Sequence, residues 1–85
     1  MTQSQQLKAA LAKSITYFRR RKNMKRQYIA SQLGMSVAAI DKMEQAITHP
    51  NYGQVYLLCN ALNITMAEFA TVFERELEKI TPPPR

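Results

Sequence analysis

The side chains best equipped for chemistry in this chain are cations. Nine of its twelve Lys and Arg residues lie in residues 1–43 against one acid, Asp41, so that half carries +8. Residues 44–85 hold Arg75, Lys79 and Arg85 against five glutamates, a balance of −2. Guanidinium and ammonium groups gathered in this way hold anionic oxygens through charge-assisted hydrogen bonds, and a one-sided basic field suits a polyanion. A merely solvated surface would give the same pI, so the placement of the cations has to decide. Covalent chemistry is poorly provided for. Cys59 is the only cysteine and His49 the only histidine, which leaves no internal disulfide and no cysteine-based zinc cluster. No clustered acid pair and no glycine-rich phosphate loop is present. Cys59 falls on the apolar side of its expected helix, where a structural buried thiol is expected rather than a nucleophile. The chain therefore reads as a non-enzyme that needs neither cofactor nor metal.

Eighty-five residues suffice for one domain with a small core, and two glycines with no alternating β-branched run favour helices. Leu7, Leu11, Ile15 and Phe18 recur at helical spacing and predict a first helix over residues 5–22, ending in the basic run Arg19, Arg20, Arg21 and Lys22. A helix dipole favours cations at that end, which accounts for part of the run. Ile29, Ala30 and Leu33 mark a second, short helix stopped by Gly34. Ser36 is an N-cap for a third, whose apolar positions are Ile40, Met43 and Ile47. Thr48, His49, Pro50 and Asn51 read as a loop. Val55, Leu58, Cys59 and Leu62 give a fourth helix ending near Asn63. Thr65 and Glu68 form a capping box for a fifth, with Met66, Phe69, Phe73, Leu77 and Ile80 on one stripe. The expected organisation is one domain over residues 1–81, with an extended C-terminal helix over about 66–80 and a proline-rich tail over 82–85. The polar start and the lack of a membrane-length apolar stretch predict a cytoplasmic, soluble protein.

The segment IASQLGMSVAAIDKME over residues 29–44 carries the functional argument. Two short helices joined tightly at Leu33, Gly34 and Met35 have the spacing of a helix-turn-helix, here over about 26–45. Its second helix can protrude into a DNA major groove.

The stretch from Ile15 to Phe69 resembles the phage-repressor and Cro-like (XRE) helix-turn-helix family. The matching residues are Arg19, Ile29-Ala30, Leu33-Gly34, Ser36, Ile40, Glu44, Pro50, Ala61-Leu62 and Glu68-Phe69. The resemblance implies an all-α, five-helix, lambda-repressor-like DNA-binding domain. It implies that Ala30 sits at the close crossing of the two helices and that Arg19 and Glu44 form a structural ion pair. It also implies base contacts from Ser36, Val37, Ala38 and Lys42. Phosphate contacts are expected from Lys25, Arg26, Gln45, Thr48, His49, Asn51 and Tyr52. On the outer face of the third helix, Val37 and Ala38 can pack on thymine methyls but cannot make bidentate base contacts, so Lys42 is the polar reader. Asp41 beside it would repel phosphate or accept a hydrogen bond from cytosine. Three residues depart from the family pattern: Lys25 replaces the usual small N-cap, Ala46 stands where relatives often have glycine, and residues 37–39 are apolar.

The stripe through Phe73, Leu77 and Ile80 has two uses. It can cover the long first helix, or it can join two copies; the dimer contact is preferred, because so small a domain has little core left to cover it. The resulting expectation is a homodimeric repressor-type transcriptional regulator on a palindromic double-stranded site, with no ligand-sensing domain in these residues. The alternatives are a protein-interaction module, such as an antitoxin-like partner of a toxin on the same fold, and a nonspecific phosphate binder.

Overall fold

The computed structural model describes residues 2–80, and the proline tail expected over 82–85 lies outside the described residues. These form five helices: α1 Gln3–Arg21, α2 Arg26–Leu33, α3 Val37–Glu44, α4 Tyr52–Leu62 and α5 Met66–Ile80. Each start follows from a cap, except one. Thr2 and Gln5 exchange side-chain to backbone bonds of 2.9 and 3.2 Å, which begins α1 two residues ahead of its expected start. Ser36 Oγ accepts from the Ala39 N–H at 3.1 Å and opens α3. Asn51 and Gln54 form a capping box for α4, and Thr65 and Glu68 form the expected one for α5. Lys25 gives α2 no side-chain cap.

Four helices end by one device. The chain turns into the left-handed region at Asn23, Gly34, Ala46 and Asn63, with φ between 54° and 65°. The next N–H then reaches back to close a six-residue loop: Met24 to Arg19 O, Met35 to Ala30 O, Ile47 to Lys42 O and Ile64 to Cys59 O, all at 2.9 Å. Glycine takes this conformation without strain. Asparagine tolerates it, and Ala46 holds it at a cost of roughly 1–2 kcal/mol. The same turn corrects the placement of Ile47. That residue is not on the apolar face of α3, because α3 stops at Glu44 and the turn at Ala46 swings Ile47 outward, leaving it 56% exposed.

The core gathers Ile15 and Phe18 from α1, Ile29 and Ala30 from α2, Ile40 and Met43 from α3, and Leu58, Cys59 and Leu62 from α4. Ile64, Phe69 and Val72 complete it. Burial pushes the Cys59 thiol above its ordinary range, as suits a packing group. Helices α1 and α5 lie along each other; the Phe18 and Phe69 rings stack at 6.2 Å and Arg75 sits 4.8 Å over the Tyr17 ring. Ala10, Ala12 and Ser14 are buried on α1, and Ser14 satisfies its hydroxyl by donating to Ala10 O at 2.7 Å. Phe73 packs against the edge of the core, and Leu77 and Ile80 are half-buried. The long first helix therefore takes part of the stripe expected to meet a second copy.

Candidate nucleic-acid interface

The placement of α3 rests on Glu44, whose side chain is only 3% exposed. Arg19, in the last turn of α1, donates from Nε to Oε2 at 2.6 Å and from Nη2 to Oε1 at 3.0 Å. Its Nη1 donates to Met24 O at 3.3 Å, so one guanidinium also ties down the turn after α1. Burial pushes the Glu44 carboxyl up, but the bonds and charge of Arg19, then of Arg26, outweigh it and hold it below the usual carboxylate range. The α2–α3 crossing closes over Ile29, Ala30 and Ile40, all buried. Ala30 is 3% exposed, which agrees with a small residue at a close crossing.

Held in this way, α3 turns one face outward. Val37, Ala38 and Lys42 are exposed, with Ser36 at its start and Gln45 just past its end. A shallow hollow beside this face is lined by Ser36, Ala38, Lys42, Thr48 and His49, so residues expected to meet bases and residues expected to meet phosphate share one surface. Tyr52, at the first position of α4, is 80% exposed at the adjoining end. Lys25 is exposed at the start of α2.

Not every expected contact is free to reach out. Arg26 donates to Glu44 Oε1 from Nε at 3.2 Å and from Nη2 at 3.0 Å, and its Nε lies 3.8 Å from Asp41 Oδ1. Gln45 donates to Asp41 Oδ2 at 2.7 Å. The Asn51 Oδ1 accepts from the Gln54 N–H at 2.8 Å as the cap of α4. An Asn followed three residues later by Gln is a capping signature, and it makes Asn51 a helix cap rather than a plain loop residue. His49 Nδ1 lies 3.1 Å from Pro50 O. In the basic run, Arg20 lines a hollow with Arg26 and Asp41, whereas Arg21 leans over the Tyr17 ring at 5.8 Å and Lys22 reaches Asn63 O at 3.5 Å. Part of that run serves the fold. Among the described residues, no group of His, Cys, Asp and Glu is arranged to hold a metal, and no single helix is long and apolar enough to cross a membrane.

The family model described as helix-turn-helix matches residues 15–69. Among solved structures, the chain is similar to the crystal structure of the wild-type restriction-modification controller protein C.Esp1396I. The TM-score is 0.79 at 18% identity, over 86% of this chain and 95% of that one. A point mutant of the same controller protein gives a TM-score of 0.80 at 17% identity, over 88% and 95% of the two chains. At these identities the likeness is one of fold. No curated protein matches the chain.

Proposed function

Because the chain belongs to the helix-turn-helix family, we propose that it is a DNA-binding transcription regulator that lays α3 in the major groove of double-stranded DNA. The observation that carries this reading is the anchored, outward-facing α3. Its eight residues make a rod about 10–12 Å across with side chains, matched to a groove about 12 Å wide. The buried Arg19–Glu44 pair fixes that rod against α1. Ser36, Val37, Ala38 and Lys42 then face base edges, with Lys42 as the polar reader and Val37 and Ala38 against thymine methyls. Lys25 and Arg26 at the start of α2, and Gln45, Thr48, His49, Asn51 and Tyr52 around the end of α3 and the start of α4, border the phosphate backbone. The uncapped start of α2 favours an anion there through its N–H groups and dipole.

A repressor acting as a homodimer, with Phe73, Leu77 and Ile80 in the contact, completes the proposal, and the fold likeness to a restriction-modification controller protein supports a regulatory role. Two copies related by a two-fold axis would read half-sites about one DNA turn, roughly 34 Å, apart. The test is selection from a randomised duplex library at two salt concentrations, followed by sequencing. An enriched inverted repeat with that spacing supports the proposal. Retention without a motif, lost at the higher salt, would replace it with nonspecific phosphate binding. No retention at either salt would reject DNA binding and favour a protein partner, for which the exposed Val37 and Ile47 offer apolar contacts.

A further inference from the structure

We propose that Asp41 is a positioning residue that lowers the affinity of the whole interface by standing in for phosphate against Arg26, an inference that rests on the DNA-binding reading above. Three observations carry it. Asp41 Oδ1 lies 3.8 Å from Arg26 Nε, close enough to attract but without a hydrogen bond. Asp41 Oδ2 accepts from Gln45 at 2.7 Å, so the carboxylate is held in place from the next turn of the chain. Both partners are partly open, with Arg26 38% and Asp41 42% exposed at the side chain. Neither is needed to close the core, since Glu44 keeps its two bonds to Arg19 whether or not Arg26 stays.

The charges around Arg26 give the arrangement its consequence. Arg19 and Arg26 share one Glu44 carboxylate, a node that on its own would carry a single net positive charge. Asp41 cancels that charge at the edge of the proposed interface. A phosphate approaching Arg26 must displace it from two carboxylates and must also tolerate Asp41, whose charge has the same sign as its own. Both oxygens of Asp41 already face donors of the same chain, which makes it less suited to accept from a cytosine. Phosphate contacts carry no sequence information. Removing the Asp41 charge should therefore tighten binding to every duplex alike, without altering the preferred bases.

The test compares wild type, Asp41→Asn, Arg26→Ala and the double variant on a fluorescein-labelled mixed-sequence duplex about two turns long. Affinity is followed by anisotropy from about 50 to 200 mM salt, the range over which phosphate contacts dominate. Thermal midpoints of all four proteins are recorded alongside, to confirm that each is folded. Asp41→Asn is expected to bind about two- to five-fold more tightly, the scale of an exposed ion pair. Its slope of log affinity against log salt should steepen by about 0.9, the increment for one more neutralised phosphate. In the Arg26→Ala background most of the gain should disappear. An equal gain in both backgrounds would overturn the proposal, because Asp41 would then act only as a general negative charge. So would a change confined to one base pair in the sequences selected from the library, which would make Asp41 a base reader. Wild-type binding with no effect of Asp41→Asn would reject this inference and leave the DNA-binding reading intact, whereas no binding by wild type would reject both.

Discussion

The Arg19 guanidinium and the Glu44 carboxylate meet edge to edge, Nε 2.6 Å from Oε2 and Nη2 3.0 Å from Oε1. The two residues stand in the last turns of α1 and α3, so the contact joins the longest helix to the one proposed to enter DNA. A planar fork against a planar carboxylate fixes rotation as well as distance. With Ile40 and Met43 buried on the same inward side of α3 as Glu44, the helix is held along that side and its outer face is directed.

Breaking that fork should destabilise the fold. Arg19→Ala leaves Glu44 buried with Arg26 as its one remaining partner, and a loss of about 3 kcal/mol is expected, toward the lower end for a buried pair cut on one side. Arg19→Lys restores the charge but not the fork, and should recover less than half of the loss. Urea unfolding followed by circular dichroism measures both; a loss under about 1 kcal/mol for the alanine variant would show that Arg26 can carry Glu44 alone.

The pair also predicts an acid limb. The folded Glu44 carboxyl lies below its ordinary value of 4.5, so the unfolded chain takes up its proton first as the pH falls. The stability it contributes is complete above the unfolded value and is lost as pH drops through the lower folded one. Wild type should therefore melt at steadily lower temperature below about pH 4.5. Glu68 and Glu76 are lowered as well, so the informative quantity is the difference from Glu44→Gln. That variant should be less stable at neutral pH, with a gap that narrows in acid. A gap that stays constant down to about pH 3 would mean that Glu44 does not titrate in the folded state as described.

Two turns with the same backbone but different residues make opposite predictions. Gly34 has no neighbour within 4 Å of an added Cβ, so Gly34→Ala meets strain from its φ of 65° alone. It should lose about 1–2 kcal/mol. Ala46 already bears that strain, and Ala46→Gly should return about 1 kcal/mol, raising the midpoint by roughly 4–8 °C in a domain of this size. Calorimetry of the two variants decides it. If Ala46→Gly melts lower than wild type, the added freedom of glycine in the unfolded chain outweighs the relief.

Readout of sequence and grip on the backbone should separate on two lysines. Lys42→Ala is expected to relax preference at one position of the selected site, at about 1–3 kcal/mol for the matched base. Lys25→Ala should weaken all duplexes equally and flatten the salt slope by about 1. Selection repeated with each variant would show the difference; a uniform loss from Lys42→Ala would move that residue to the phosphate set.

What is legible in the chain follows the range of each interaction. Gly34, Ser36, Asn63 and the Thr65–Glu68 box announce helix ends because capping is local, and the spacing of Leu58, Cys59 and Leu62 marks a buried face in the same way. Arg19 and Glu44, 25 positions apart, are paired in the sequence only through the family resemblance. The grip of Glu44 on Arg26 has no local signal, since it depends on how α2 crosses α3. Ile47 is misplaced by helical spacing, which continues on paper past a turn that Ala46 enters against its own preference. The start of α4 at Tyr52 has its local signal in Asn51 and Gln54.

The division of the α5 stripe makes the last prediction. Phe69 and Val72 are buried within the chain, while Phe73, Leu77 and Ile80 remain half-open along the same helix. If these three join two copies, Leu77→Glu places a charge in the contact. Sedimentation should then shift from dimer to monomer, with the helical content kept. Leu57→Glu on α4, where the leucine is 42% exposed, serves as the control and should leave the dimer in place. The opposite pattern would move the contact to α4, where Tyr56 is also exposed. A wild type that sediments as a monomer at every concentration would leave α5 as a helix that serves only to cover α1. The DNA site would then be a single half-site rather than an inverted repeat.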